Sequence, residues 1–200
     1  MTAKDLILQP IPADIANSVI EKLHYSGKYV RNSQLHLGVF WNGELHGVMQ
    51  FGPSLDKSKL QNLVEGTGWN EFIELNRMAF SEELPRNSES RAIAIAMRMI
   101  KKHAPHVKWV VSFADAAQCG DGTIYRASGF VLTGIKKTKN LARLPDGSTM
   151  HKMTLESNPT IPRLELDGLS YYDITNGNYD FNKYISVTKA EPVSGYNLRY

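Results

Sequence analysis

Between residues 88 and 113 the sequence runs a helix into a buried strand, and few folds accept that order. Ser88 to His103 is the strongest helical pattern in the chain, with Asn87 or Ser88 as N-cap and Ala, Ile and Met filling its interior. After a short connection, Val107 to Phe113 is an apolar run. A strand that is apolar on both faces needs cover on both faces, so the run reads as the centre of a sheet with helices on either side. With 42% hydrophobic and 22% charged residues, the composition excludes a disordered polymer, a collagen-like chain and a small disulfide scaffold.

The flanking segments extend this sheet. Pro12 to His24 repeats apolar residues at helical spacing (Ile15, Val19, Ile20, Leu23) and stops at Gly27. Leu35 to Trp41 and Glu44 to Phe51 surround Asn42-Gly43, the signature of a two-residue hairpin. A polar stretch follows Gly52-Pro53, and Phe72 to Phe80 reads as another strand. Thr123 to Ser128 is a short helix ended by Gly129, and the strands Phe130 to Ile135 and Met150 to Leu155 flank a basic loop. The expected fold class is α/β, a single mixed sheet flanked by helices in the order α-β-β-β-α-β-α-β-β.

Composition divides the chain near residue 157. Of nine tyrosines, six fall after it (Tyr171, Tyr172, Tyr179, Tyr184, Tyr196, Tyr200), amid Asn, Gly and Asp. We therefore expect a domain over 1–156 and a Tyr-rich C-terminal extension over 157–200. The formal charge is only +3, with 23 Lys and Arg against 20 Asp and Glu. Its distribution says more than its sum. Arg126, Lys136, Lys137, Lys139, Arg143 and Lys152 face a single acid, Asp146, in the stretch they span. One cysteine, Cys119, cannot form an internal disulfide, and no apolar run suits a signal peptide or membrane span. A cytoplasmic protein without a membrane partner is the expectation, and Cys119 reads as an inert thiol more readily than as a nucleophile.

Leu84 to Ala92, LPRNSESRA, joins a strand to the long helix. Free amides at such a junction form an anion site, and Arg86, Asn87, Ser88, Ser90 and Arg91 add donors and charge, although a merely well-capped helix fits the same residues. Asn87-Ser88-Glu89-Ser90-Arg91-Ala92 resembles, with Ser90 in place of a key glycine, the pyrophosphate loop of the GNAT acyltransferases. Gly122 to Phe130 resembles the Tyr-Arg-x-x-Gly-Phe helix end of the same superfamily. The resemblance implies a GNAT-like fold, acetyl-CoA or a related donor, and Tyr125 near the leaving group as general acid. A Cβ at position 90 narrows the approach of a pyrophosphate, unless the hydroxyl supplies a hydrogen bond instead.

Four further blocks follow one another in order: His24-Tyr25-Ser26-Gly27, Gln50 to Ser54, Glu74 to Met78, and Phe113-Ala114-Asp115. Together with Tyr-Arg-x-x-Gly-Phe they resemble the Mom DNA-modification proteins of Mu-like phages, a divergent GNAT branch, over about residues 15 to 156. That resemblance implies transfer of a carbamoylmethyl group to adenine N6 in duplex DNA, which shields phage DNA from host restriction. It makes Arg77 a substrate or cofactor contact and implies iron, for which His24, Tyr25 and Asp115 are the candidate donors. Asp115 ends the central strand, where it can accept the N6 proton, bind a metal or cap the turn at Ala116 to Gln118. His24 equally suits a helix C-terminus, and Tyr125 equally suits packing on its helix.

Lys136, Lys137, Lys139 and Arg143 on the basic loop are the candidate phosphate contacts, and a solvated turn is the alternative. The late tyrosines can stack on an extruded base, but packing onto the domain or a second subunit of a homodimer explains more of them. Two other functions compete: a GNAT N-acyltransferase acting on a protein or small amine, and a non-catalytic DNA-binding module on the same fold.

Overall fold

The computed structural model describes residues 2–117, 120–145, 147–153, 170–178 and 180–200. The chain forms two compact units, one comprising Met1–Ala114, Gln118–Gly134 and Leu198–Tyr200, the other Asp115–Ala117 and Ile135–Asn197. The expected boundary between 156 and 157 lies outside the described residues. Among the described residues no helix is long and apolar enough to cross a membrane.

In the first unit, β1 (Ile7–Pro10), β2 (Leu35–Trp41), β3 (Glu44–Gly52), β4 (Phe72–Phe80) and β5 (Trp109–Asp115) lie side by side in chain order. The first three pairings are antiparallel and β4–β5 is parallel. A parallel neighbour requires a crossover, and α3 (Ser88–His103) supplies it, as the helix-to-strand order predicts. The hairpin turn holds Asn42 and Gly43 at φ 53° and 84°, the left-handed pair such a turn demands.

Helices cover both faces of this sheet. Val48 on β3 packs with Ala16 and Ile20 of α1 (Ala13–Leu23). Its neighbours Met49 and Phe51 pack with Ala92, Ile93 and Ala96 of α3. Alternation along one strand thus feeds two cores. Full burial of side chains such as Phe51, Ile20 and Ile93 contributes about 1.5–3 kcal/mol each.

The expected order of elements holds, with four differences, one being that the strand expected over Met150 to Leu155 covers 149–151 and gives way to helical backbone at 152–153. β1 was too short to read, and its register with β2 creates it. A short α2 (Lys57–Leu60) interrupts the polar stretch. Residues 130–133 are not a strand: behind α4 (Thr123–Ala127), Gly129 takes φ 83°, and the Phe130 amide returns to the Tyr125 carbonyl at 3.0 Å. That helix-ending turn uses the backbone that a strand would need.

In the second unit, β6 (Gly134–Arg143) pairs antiparallel with β7 (Thr149–His151), from Leu141↔His151 to Arg143↔Thr149, and β8 (Glu191–Arg199) lies beside β6. The expected basic loop is therefore mostly strand, and beyond it the Leu144 amide donates to Ser148 O at 2.8 Å and the Gly147 amide to Leu144 O at 2.9 Å. With α5 (Tyr171–Ile174) and α6 (Phe181–Thr188), these strands enclose a core of Ala142, Leu144, Met150, Tyr171, Ile174, Phe181, Tyr184 and Ala190. Tyr171 and Tyr184, 1% and 2% exposed, meet ring to ring at 5.0 Å. Packing accounts for both. Tyr172 and Tyr196 are exposed, and Tyr179 lies outside the described residues.

Candidate functional site

One extra residue in β4 shapes the site. Gln50 pairs with Arg77 but the next residue, Phe51, pairs with Leu75, so Asn76 bulges out of register. A bulge inverts the alternation beyond it. Leu75 therefore faces α3, whereas Ala79, four residues on, faces α1. Arg77 shares the α1 side with Ala79. Gly52 makes room for the bulge, since a Cβ there would sit 2.8 Å from the Asn76 Oδ1 and the Asn32 carbonyl.

β4 and β5 pair from Phe72↔Trp109 to Leu75↔Ser112. Past that point, Asn76 to Met78 on one strand and Phe113 and Ala114 on the other line a cavity of about 420 Å³. His24, Tyr25, Arg77 and Tyr125 all reach it, as do Glu89 and the segment Gly120 to Ile124. Four candidates scattered over about a hundred residues thus line one cavity.

α1 delivers His24. The His24 amide closes the helix on Ile20 O at 2.9 Å, and Gly27, at φ 57°, turns the chain back. Within that turn the Ser26 amide donates to His24 Nδ1 at 3.1 Å, and the Ser26 hydroxyl lies 2.8 Å from the same nitrogen. A nitrogen that accepts an amide proton carries none itself, so the neutral ring holds its proton on Nε2. Burial, and then the neighbouring Arg77 cation, lower its pKa to about 4. His24 is therefore a neutral imidazole near pH 7. Its ring lies 4.2 Å from that of Tyr25.

Arg77 is a half-buried guanidinium fixed by backbone. Its Nε donates to the Lys28 carbonyl at 3.0 Å and its Nη1 to the Asn76 carbonyl at 2.7 Å. Two of its five N–H groups are spent on positioning, and its charge is held at the cavity wall. Glu74 nearby has its pKa raised, chiefly by burial. Across the cavity, the Tyr125 ring sits between Tyr200 (centroids 5.3 Å) and Phe130 (5.7 Å). Asp121 accepts from the Thr123 hydroxyl and amide and pairs with Arg126, interactions that hold its carboxyl down at about 2.

At the start of α3, Asn87 takes φ 71° and makes no side-chain cap. Ser88 Oγ donates to Pro85 O at 2.6 Å and Ser90 Oγ to Asn87 O at 3.2 Å. Both hydroxyls turn to carbonyls, and the Ser88 and Arg91 amides donate to Pro85 O at 3.2 Å and Asn87 O at 3.1 Å, so of the first-turn amides those of Glu89 and Ser90 are the ones an anion could take. Arg86 and Arg91 are exposed beside them. The Ser90 hydroxyl is thus engaged elsewhere instead of replacing a glycine's contact.

Of the other candidates, Asp115, Lys136, Lys137 and Arg143 belong to the second unit. The Asp115 carboxylate accepts the Ala117 amide at 3.0 Å, the turn-capping arrangement. Lys136 and Lys137 are exposed but successive on β6, so they point to opposite faces instead of forming one loop cluster. Arg143, also on β6, is exposed. The Lys139 side chain and all of Cys119 lie outside what is described.

Iron fits poorly. Of its three proposed donors only His24 and Tyr25 reach the cavity, beside the Arg77 cation, and His24 Nδ1 is engaged by Ser26. Among the described residues no three His, Cys, Asp or Glu side chains gather as a metal would require.

Sequence reasoning missed Ser26, Asn76 and Tyr200 as supports of this site. Ser26 and Asn76 stood inside blocks that the resemblance marked, but their roles are hydrogen bonds and a register shift. Tyr200 stood among the late tyrosines expected to pack onto the domain, but its partners, over seventy residues away in the chain, could not be named from the sequence.

Two sequence comparisons point to one family. The Mom protein family matches residues 5–190. The methylcarbamoylase mom of Escherichia phage Mu is 39% identical over 156 residues, 78% of this chain. Those residues span 64% of that relative's length. Among solved structures, a GNAT family acetyltransferase from Elizabethkingia anophelis with acetyl-CoA bound is similar at a TM-score of 0.49 and 14% identity, covering 98% of this chain and 97% of that one. An IAA acetyltransferase from Bacillus cereus is similar at 0.48 and 10%, covering 97% of each. A match that takes in the His24 turn, the β4 bulge and the Tyr125 helix, together with almost all of the remaining chain, places this protein in the Mom family.

Proposed function

We propose that this chain is a transferase that adds a carbamoylmethyl group to the exocyclic N6 of adenine in duplex DNA. The observation that carries the reading is the shared cavity: a neutral His24, a fixed Arg77 cation and two tyrosines meet where β4 and β5 part, in a chain of the Mom family.

Adenine N6 is a weak nucleophile because its lone pair is delocalised into the ring, so the reaction depends on positioning. In the proposed step N6 bonds to a methylene that bears a carboxamide. The leaving group departs with the electron pair of its bond and a proton from Tyr125, and the proton that N6 gives up restores the Tyr125 phenol. Acetyl-CoA by itself would yield N6–CO–CH₃, so the donor is a related compound with an electrophilic methylene. Arg77 stabilises the charge that develops on the carboxamide oxygen or leaving group, and the Nε2–H of His24 donates in the same direction. Tyr125 protonates the leaving group. If the donor carries a pyrophosphate, the Glu89 and Ser90 amides of α3 with Arg86 and Arg91 would hold it.

No step is routed through iron, and Asp115 acts by shaping the turn after β5. Lys136, Lys137, Lys139 and Arg143 serve as phosphate contacts spread along β6 instead of a single patch. In a phage-infected cell this activity would belong in the host cytoplasm and protect DNA from restriction. Whether the enzyme works as a homodimer is read by light scattering of the purified protein.

The test is mass spectrometry of nucleosides from cells expressing the protein. The expected product is deoxyadenosine heavier by one carbamoylmethyl group, absent with Arg77→Met. Unmodified DNA together with turnover of a CoA ester would replace this reading with N-acyl transfer. DNA binding without either activity would leave a binding module.

A further inference from the structure

Another wall of the cavity is built from residues 120–124. Gly120 and Gly122 both sit at positive φ, 90° and 75°, on either side of Asp121, a conformation that glycine takes without strain. Local bonds from Thr123 and Arg126 hold Asp121, and one further support comes from far along the chain. The Tyr200 hydroxyl donates to the Asp121 carbonyl at 2.9 Å and accepts from Arg126 Nη1 at 2.8 Å. Arg126 Nη1 also donates to the Asp121 carbonyl, at 2.6 Å, which closes a triangle of three groups.

Tyr200 is itself anchored firmly. Its amide donates to Ser112 O at 2.9 Å and its carbonyl accepts the Ser112 amide at 3.0 Å. Ser112 is the β5 residue at which pairing with β4 ends. The Tyr200 side chain is 4% exposed, and its ring lies against Tyr125 with planes 27° apart. Gly122 exists to admit that ring: a Cβ there would fall 2.3 to 2.5 Å from Tyr200 atoms.

We propose that Tyr200 is a positioning residue, which sets the orientation of the Tyr125 ring and of residues 120–123 so that the cavity is formed before substrate arrives. It does not line the cavity itself. Its hydroxyl fixes the segment through the Asp121 carbonyl, and its ring, stacked on Tyr125, sets the plane of that ring together with Phe130. The consequence for rate rests on the function proposed above, whereas the consequence for Tyr125 does not.

Tyr200→Phe keeps the ring and removes both hydroxyl bonds, so the fold is retained. With tyrosine labelled at ¹³Cζ, and the Tyr125 signal assigned through Tyr125→Phe, we expect Tyr200→Phe to shift and broaden that signal while Tyr171 and Tyr184 stay put. The fraction of carbamoylmethylated adenine in cellular DNA should fall about tenfold, as expected for a misplaced reacting group. Gly122→Ala, which pushes on the same ring, should move the same signal. An unmoved Tyr125 signal in both variants overturns the proposal, and so does a moved signal with wild-type modification. If the wild-type protein leaves adenine unmodified, the proposed function fails, and the NMR comparison still decides whether Tyr200 orients Tyr125.

Discussion

Exchanging His24 for Gln should flatten the acid limb of this protein's stability curve, and the sign follows from burial. The His24 pKa falls from 6.5 to about 4 on folding, through desolvation first and Arg77 second. Between these values the unfolded chain binds a proton that the folded one refuses. Acid therefore favours unfolding: the stabilisation is complete above pH 6.5 and is lost progressively as the pH drops toward 4. Linkage over a 2.5-unit shift gives a loss of up to about 1.3 kcal/mol between pH 7.5 and 5.5, and up to about 3 kcal/mol by pH 4. Because part of the ring faces the cavity, the measured value should fall below these limits. Other groups titrate in the same range. His36, also lowered by burial, adds slope of the same sign, and Glu74, raised by burial, adds the opposite. The informative quantity is the difference between wild type and His24→Gln, in which these terms cancel. Urea denaturation followed by circular dichroism at pH 7.5, 6.5 and 5.5 reads it. Parallel curves for the two proteins would refute the claim that His24 is held neutral by its site.

Phe51→Ala, at a wholly buried position between β3 and α3, should cost about 3–5 kcal/mol in urea unfolding. Arg77→Lys should not rescue Arg77, because an ammonium cannot span the Lys28 and Asn76 carbonyls together. Losing charged hydrogen bonds of about 1.5–3 kcal/mol predicts about a ten- to hundredfold drop in modified adenine by mass spectrometry. Changing Lys136, Lys137 and Lys139 to Ala should weaken duplex binding and reduce the slope of log K against log salt by up to about 3. An unchanged slope in fluorescence anisotropy would remove β6 from the DNA interface.

Much of the fold is legible in local chemistry. The Asn42-Gly43 turn, the Ser88–His103 helix and the strands at 35–41 and 72–80 each rest on residues adjacent in the chain, and all four appear where that chemistry puts them. The short β1 and the strand character of Lys136 to Arg143 were hidden, because pairing with a distant strand creates them. Alternation along β4 could not say which way Arg77 faces, since the deciding factor is the Asn76 bulge in its register with β3.

The candidate site divides in the same way. The family resemblance singled out His24, Tyr25, Arg77 and Tyr125, whose residue types alone left structural readings open, and the cavity gathers them. For Asp115 two readings stood, and the hydrogen bond to the Ala117 amide is the capping one. By itself the sequence determined a helix-covered mixed sheet, because helical and strand periodicities are local, and it offered candidate side chains for the site. Only the tertiary structure decided that β4 and β5 part after Leu75 and Ser112, that Ser26 sets the tautomer of His24, and that Tyr200 backs Tyr125. Each depends on contacts between segments whose separation in the chain, or whose hydrogen-bond geometry, no local pattern encodes.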